Sequence, residues 1–127
     1  MIGIISVTEK GDFIGDELKD FFEESNISFK GIYKSKCEDF SLKGATQEMF
    51  KTCKNIIFIS STGIAVRAIT PFIVKKDKDP GIVVVDVNNK FTISLAGGHI
   101  GGANELTLEV SKVLNLSLIH IWRCRRS

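Results

Sequence analysis

Two glycine-rich turns gather most of the side chains in this sequence that can do chemistry. The first, Ser60-Ser61-Thr62-Gly63-Ile64-Ala65-Val66-Arg67, follows the apolar run Ile56-Ile57-Phe58-Ile59. The second, Gly97-Gly98-His99-Ile100-Gly101-Gly102-Ala103-Asn104-Glu105, follows Phe91-Thr92-Ile93-Ser94-Leu95. An apolar strand that breaks into Gly, Ser and Thr and resumes as a helix leaves bare N–H groups at the positive end of the helix dipole. Such ends attract carboxylates and phosphates. If both turns open on one edge of a sheet, they face a shared anionic substrate.

In the first turn Ser60, Ser61 or Thr62 can cap the helix, and Gly63 admits close approach of a ligand. A plain capped strand–helix turn uses the same residues. Arg67 favours the ligand, because it is the only arginine before residue 123. Its planar fork suits a carboxylate or phosphate; the alternative is a surface salt bridge. In the second turn His99 is the only histidine before residue 120. It titrates near neutral pH and can act as general acid or base, although a loop histidine can also just bond a neighbouring carbonyl. Gly97, Gly98, Gly101 and Gly102 supply N–H groups beside it, and Asn104 adds a polar group at the helix start. Glu105 either complements the helix dipole or orients His99 or a water. Asp86, at the end of a predicted strand, is a further acid–base candidate or a turn-forming aspartate.

Neither turn matches a nucleotide fingerprint. There is no GxxxxGK[ST] loop, and Gly97–Gly102 lacks the GxGxxG order. Cys37, Cys53 and Cys124 form no CxxC pair and no metal-ligand spacing, so neither a disulfide framework nor a metal site is expected.

These residues must be positioned by a chain of 127 residues, one domain by length, with 43% hydrophobic and 25% charged residues. No apolar stretch reaches the ~20 residues of a membrane span, and the start lacks a basic leader. A cytoplasmic location with no membrane partner is expected. The net charge of +2 comes from the last residues: Arg123, Arg125 and Arg126 stand among the final five. Leu116–Ser127 holds the only Trp and no acid. It resembles the translation of a sequencing-library transposase adapter with a stop codon read as Trp. The segment 116–127 is therefore expected to be non-native, and 1–115 to be the domain, with a C-terminal domain missing. Without it 14 basic residues face 15 acidic ones, which gives no argument for nucleic acid.

The periodicity predicts alternating strands and helices. Ile2–Val7 reads as a buried strand, followed by an amphipathic helix from about Gly11 with Phe13, Ile14, Leu18, Phe21 and Phe22 on its core face. Ile27–Tyr33 alternates as a half-exposed strand. A helix over 46–53, a central strand Asn55–Ile59 and a helix ended by Pro71 come next. Strands Ile82–Val87 and Phe91–Leu95 are joined by a tight turn at Asn88-Asn89. A last helix runs from about Gly101 to Leu114, with Leu106, Leu108, Val110, Val113 and Leu114 supplying core. Together these imply an α/β three-layer sandwich, a mostly parallel sheet of about five strands with helices on both faces.

Three segments in order carry a family resemblance: Ser60–Ile69, Asp79–Asp86 and Phe91–Thr107. In them the chain resembles the N-terminal region of the cobalamin biosynthesis protein CbiG family. The resemblance implies a cobalt-precorrin-5A hydrolase, which opens the ring A δ-lactone of a cobalt-bound corrinoid precursor and releases acetaldehyde. It also implies that no cofactor is needed, since cobalt belongs to the substrate. On the residues themselves, the expected roles are His99 as the acid–base group, with Glu105 and Asp86 as further candidates. Arg67 would hold a substrate carboxylate, and N–H groups at Gly97–Gly102 or Ser61–Gly63 would receive the oxyanion. A competing expectation is a domain that only binds the corrinoid, with catalysis in the missing domain. A third is an unrelated flavodoxin-like anion-binding domain. A homodimer is left open.

Overall fold

The computed structural model describes residues 1–36, 38–73, 79–86, 91–96, 103–114 and 117–120. It begins with strand β1 (Ile2–Ser6), helix α1 (Glu9–Glu24) and strand β2 (Phe29–Tyr33), the last continued by a 3₁₀ turn, Lys34–Lys36. Helix α2 (Leu42–Thr52), strand β3 (Asn55–Ile59) and helix α3 (Thr62–Ile69) follow, α3 running into a second 3₁₀ turn, Thr70–Phe72. Strands β4 (Gly81–Asp86) and β5 (Phe91–Ala96), helix α4 (Ala103–Leu114) and strand β6 (Ser117–His120) complete the order.

The strands form one sheet in the order β2-β1-β3-β4-β5-β6. β2, β1, β3 and β4 are mutually parallel, β5 is antiparallel to β4, and β6 runs parallel to β5. The α/β sandwich and the five expected strands are therefore present. A sixth short strand comes from the segment set apart as a tail. The Asn88-Asn89 turn lies outside the described residues.

Each central strand is apolar on both sides because helices cover both faces. In β3, Ile56 and Phe58 face a cluster that contains Ala45 and Met49 of α2 and Ala65, Ala68 and Ile69 of α3. Ile57 and Ile59 face the opposite cluster, which contains Leu18 and Phe22 of α1 and Leu106 and Val110 of α4. Phe58 is fully buried, and Phe58→Ala would cost about 3–5 kcal/mol.

Two expected core positions are exposed. Phe13 is 72% exposed, because it lies roughly 140° around the helix from Leu18. Gly11 and Gly15 take the buried stripe of α1 in its place. Leu108 is 43% exposed, while Thr107 and Ser111 are buried. The α2 helix begins at Leu42, earlier than expected, because Ser41 caps it through Gly44 N–H at 3.1 Å.

Candidate functional site

The parallel strands β1, β3 and β4 end together. Ser6 pairs with Ile59, and Ile59 pairs with Val85, so the turns after these strands lie at one edge of the sheet. The chain leaves β1 toward β2 and leaves β3 toward β4, so the crossover direction reverses between neighbouring strands. In open α/β sheets that reversal opens a crevice outside the carboxyl ends of the strands, where ligands bind.

Ser60 N–H continues the ladder by donating to Val85 carbonyl at 3.2 Å. Its buried hydroxyl donates to Ser61 carbonyl at 2.9 Å, so it serves the turn. Ser61 is the cap of α3, its Oγ accepting from Ile64 N–H at 3.3 Å. Thr62 is half-buried and Gly63 exposed. A Cβ built on Gly63 meets nothing within 4 Å. By strand alternation Ser60 and Asp86 continue the rows Ile56–Phe58 and Ile82–Val84, and so lie side by side on the α3 face of this edge. Asp86 is buried and engaged within the fold. Arg67 is exposed in the last turn of α3 and forms no ion pair among the described residues.

The sequence had not singled out the other wall of the crevice, the turn from β1 into α1. Thr8 caps α1 by accepting from Gly11 N–H at 2.9 Å, and Ser6 Oγ donates to Thr8 carbonyl at 3.1 Å. The signal was available: Ser6-Val7-Thr8 follows an apolar strand, as Ser60-Ser61-Thr62 follows Ile59. Beside it, Ser35 hydroxyl donates to Asp12, and Tyr33 is buried at the end of β2. Burial, then the charges of Asp16 and Asp12, push the Tyr33 hydroxyl well above its ordinary pKa. Lys36 and Lys19 ammonium groups stand 5.1 and 5.6 Å from the centre of its ring.

The strand that leads into the second glycine-rich turn ends away from the first. β5 runs antiparallel to β4, with Asp86 opposite Phe91 and Ile82 opposite Ala96. Its last residue therefore lies at the edge where β4 begins. Helix α4 must return, because β6 starts beside Phe91 three residues after Leu114. It also packs on the α1 side of the sheet, whereas α3 packs on the other. This one antiparallel step sets Ala96, the residue that leads into the second turn, at the edge opposite Ser60. Gly97, Gly98, His99, Gly101 and Gly102 lie outside the described residues. Asn104 stands in the first turn of α4, and Glu105 is exposed there.

Among the described residues no three His, Cys, Asp or Glu side chains are grouped to hold a metal ion. Cys53 is a buried free thiol. No described helix is long and apolar enough to cross a membrane.

Residues 44–120 match the family model described as cobalamin synthesis G N-terminal. This chain belongs to that family. A cobalt-precorrin-5A hydrolase of Priestia megaterium is 33% identical over an alignment of 119 residues that covers 87% of this chain and 32% of that protein. A cobalt-precorrin-5A hydrolase of Salmonella typhimurium is 41% identical over 92 residues, 72% of this chain and 24% of that protein. The crystal structure of a cobalamin biosynthesis protein G homolog from Sulfolobus solfataricus superposes with a TM-score of 0.76 at 28% identity, covering 94% of this chain and 36% of its own. The chain thus spans between a quarter and a third of the curated relatives just named. The family match continues to residue 120, through β6.

Proposed function

We propose that this chain is the N-terminal part of a cobalt-precorrin-5A hydrolase, in the cytoplasm, and that its own task is to bind the cobalt corrinoid precursor. The observation that carries this is the identity shared over 87% of the chain with a relative bearing that name. The chemistry of the crevice supports it. Corrinoid precursors carry many acetate and propionate groups, and the α3 N-terminus with Arg67 offers donors suited to carboxylates. Cobalt enters with the substrate, and the domain needs no cofactor of its own.

In the complete enzyme the reaction is opening of the ring A δ-lactone and release of acetaldehyde. His99 would activate the water or protonate the leaving oxygen, with Glu105 positioned to orient it. N–H groups of Gly97–Gly102 would receive the oxyanion. Asp86 is the less favoured acid–base candidate, since it is buried, engaged and at the opposite end of the sheet from Ala96. Ala96, which leads into the turn Gly97–Gly102, lies at the opposite end of the sheet from Ser60, which supports a division of labour, with carboxylate recognition at Ser61–Arg67 and bond breaking elsewhere.

Acetaldehyde release and corrinoid binding, measured together on this chain and on an intact relative, test the proposal. Binding by this chain with release only by the intact relative is expected. Release by this chain alone would place catalysis within it. Absence of corrinoid binding would remove the proposed task.

A further inference from the structure

Strand β2 is one end of the sheet, with β1 on one side and no strand on the other among the described residues. Ile2 N–H donates to Ser28 carbonyl at 3.0 Å, and the register runs unshifted from Phe29 opposite Ile2 to Tyr33 opposite Ser6. Successive amides of a strand point to opposite sides. Lys30 and Ile32 therefore bond β1, while Phe29, Gly31 and Tyr33 turn their N–H groups outward. Edge strands are commonly guarded by a proline, a bulge or a charge. β2 holds no proline or bulge, and its one charge, Lys30, is paired with Glu48 of α2. Gly31, at its centre, is exposed and has no side chain to keep another strand away.

The two ends of β2 carry opposite charge. Gly15 lies against the Tyr33 hydroxyl, and the Phe22 and Phe29 ring centres are 6.2 Å apart, so α1 runs from the Tyr33 end of the strand to its Phe29 end. At the Tyr33 end the Lys19 and Lys36 ammonium groups stand over the ring, and Lys34 is exposed beside them. The acids there are Asp16 and Asp12, the latter buried and taking the Ser35 hydroxyl. At the Phe29 end α1 has no basic residue in its last turn, and Glu23 and Glu24 are exposed. Glu23 is four residues beyond Lys19 and so continues the same flank of the helix.

We propose that the outer edge of β2 is a self-association surface, on which a second copy of this chain pairs antiparallel about Gly31, with Glu23 of each copy facing Lys36 of the other. In that pairing Gly31 exchanges N–H and carbonyl with Gly31 of the second copy, and Phe29 stands opposite Tyr33. The basic end of each copy meets the acidic end of the other, whereas a parallel neighbour would set like ends together. The contact uses the same patch on both copies and closes as a dimer. It does not depend on the corrinoid-binding function proposed above.

Sedimentation velocity and residue-resolved amide hydrogen exchange on this chain, at low salt and over a wide range of concentration, test it. The expected result is a monomer–dimer equilibrium in which exchange at Phe29 and Gly31 slows as concentration rises. Lys30 and Ile32 are protected at every concentration, because they bond β1. Glu23→Lys and Lys36→Glu, both at exposed positions, each weaken the dimer about tenfold by setting like charges together, and the double variant restores it. Melting temperatures close to that of the parent chain confirm that the variants keep the fold. A chain that stays monomeric throughout overturns the proposal, as does a dimer in which Gly31 still exchanges fast. A double variant as weak as the single ones overturns the antiparallel arrangement. Fast exchange at Gly31 in this chain at all concentrations, with protection at the matching position of an intact relative, would assign the edge to the rest of that chain and overturn self-association.

Discussion

Ile82, at the start of β4, stands opposite Ala96, at the end of β5. The strands are five to six residues long here, so Ala96 is separated from Ser60 by about 15–20 Å of strand. A single reversal of chain direction thus puts Ser60, which opens the first turn, and Ala96, which leads into the second, at opposite ends of the sheet. Substitutions in the two turns are expected to have different kinetic signatures. In an intact relative, Ala at the position matching His99 should lower kcat at least about 100-fold with little change in KM, as loss of an acid–base group does. Met at the position matching Arg67 should raise KM and leave kcat near normal. Steady-state kinetics with acetaldehyde as readout checks both, and a kcat effect of equal size from both would mean that the two turns act as one centre.

Gly63 and Gly11 begin the two helices that border the crevice, yet they differ in what surrounds them. A Cβ on Gly63 meets nothing within 4 Å, whereas one on Gly11 comes to 2.7 Å from Ser6 Oγ and 3.0 Å from Ile59 Cγ2. Ser6 Oγ is held by its bond to Thr8 carbonyl and cannot swing clear without losing it. Gly63→Ala should therefore stabilise the chain by up to about 1 kcal/mol through helix propensity and unfolded-state entropy. Gly11→Ala should destabilise it by about 1–3 kcal/mol through overpacking. Urea titration of the two variants reads the contrast, and destabilisation by Gly63→Ala would show that the open space around it is not there.

Hydrophobic periodicity made the strands legible: Asn55–Ile59 is an unbroken apolar run because helices cover both its faces. The same rule failed for Phe13, where Gly11 and Gly15 replace large apolar residues on the buried stripe and let α1 approach the sheet. The strand end at Asp86 and the capped strand–helix turn Ser60–Gly63 were legible in the sequence, and the register continued by one residue sets Ser60 beside Asp86. Strand direction was not legible. Asn88-Asn89 correctly suggested a hairpin-like step, but the consequence, that a strand after a hairpin ends at the far edge, follows only from the pairing. Ser6 and Thr8 were missed because a capped first helix carries no glycine run to draw notice, although the crevice needs both walls.

Thr92 is fully buried on β5 with its hydroxyl unbonded among the described residues. Alternation with Ile93 turns it toward α4, where Thr107 and Ser111 are also buried. Ser111 is different, for its Oγ donates to Leu108 carbonyl at 2.8 Å. Thr92→Val removes a desolvated hydroxyl without opening a cavity and should stabilise the chain by about 1 kcal/mol, or about 4 °C in Tm. Ser111→Ala gives up a made bond and should be neutral or slightly destabilising. Calorimetry on both variants checks the order; a lower Tm for Thr92→Val would mean its hydroxyl has a partner.

Tyr33 is the only tyrosine in the chain, so alkaline titration of phenol absorbance reads it alone. Burial and the negative charges of Asp16 and Asp12 favour its neutral form and raise its pKa in the folded state. The sign of the stability effect follows. Below the unfolded tyrosine pKa of about 10 both states hold the proton, and the contribution is constant. Above it the unfolded chain releases the proton while the folded chain keeps it, so stability falls as pH rises, until the folded group also ionises. Tyr33→Phe removes this dependence and also removes a buried hydroxyl that has no bond among the described residues. The variant should therefore match or exceed the parent in stability at pH 7 and lose less of it between about pH 10 and 12. Urea unfolding across that range measures the difference, and parallel alkaline curves for the two proteins would show that Tyr33 titrates as a solvated phenol.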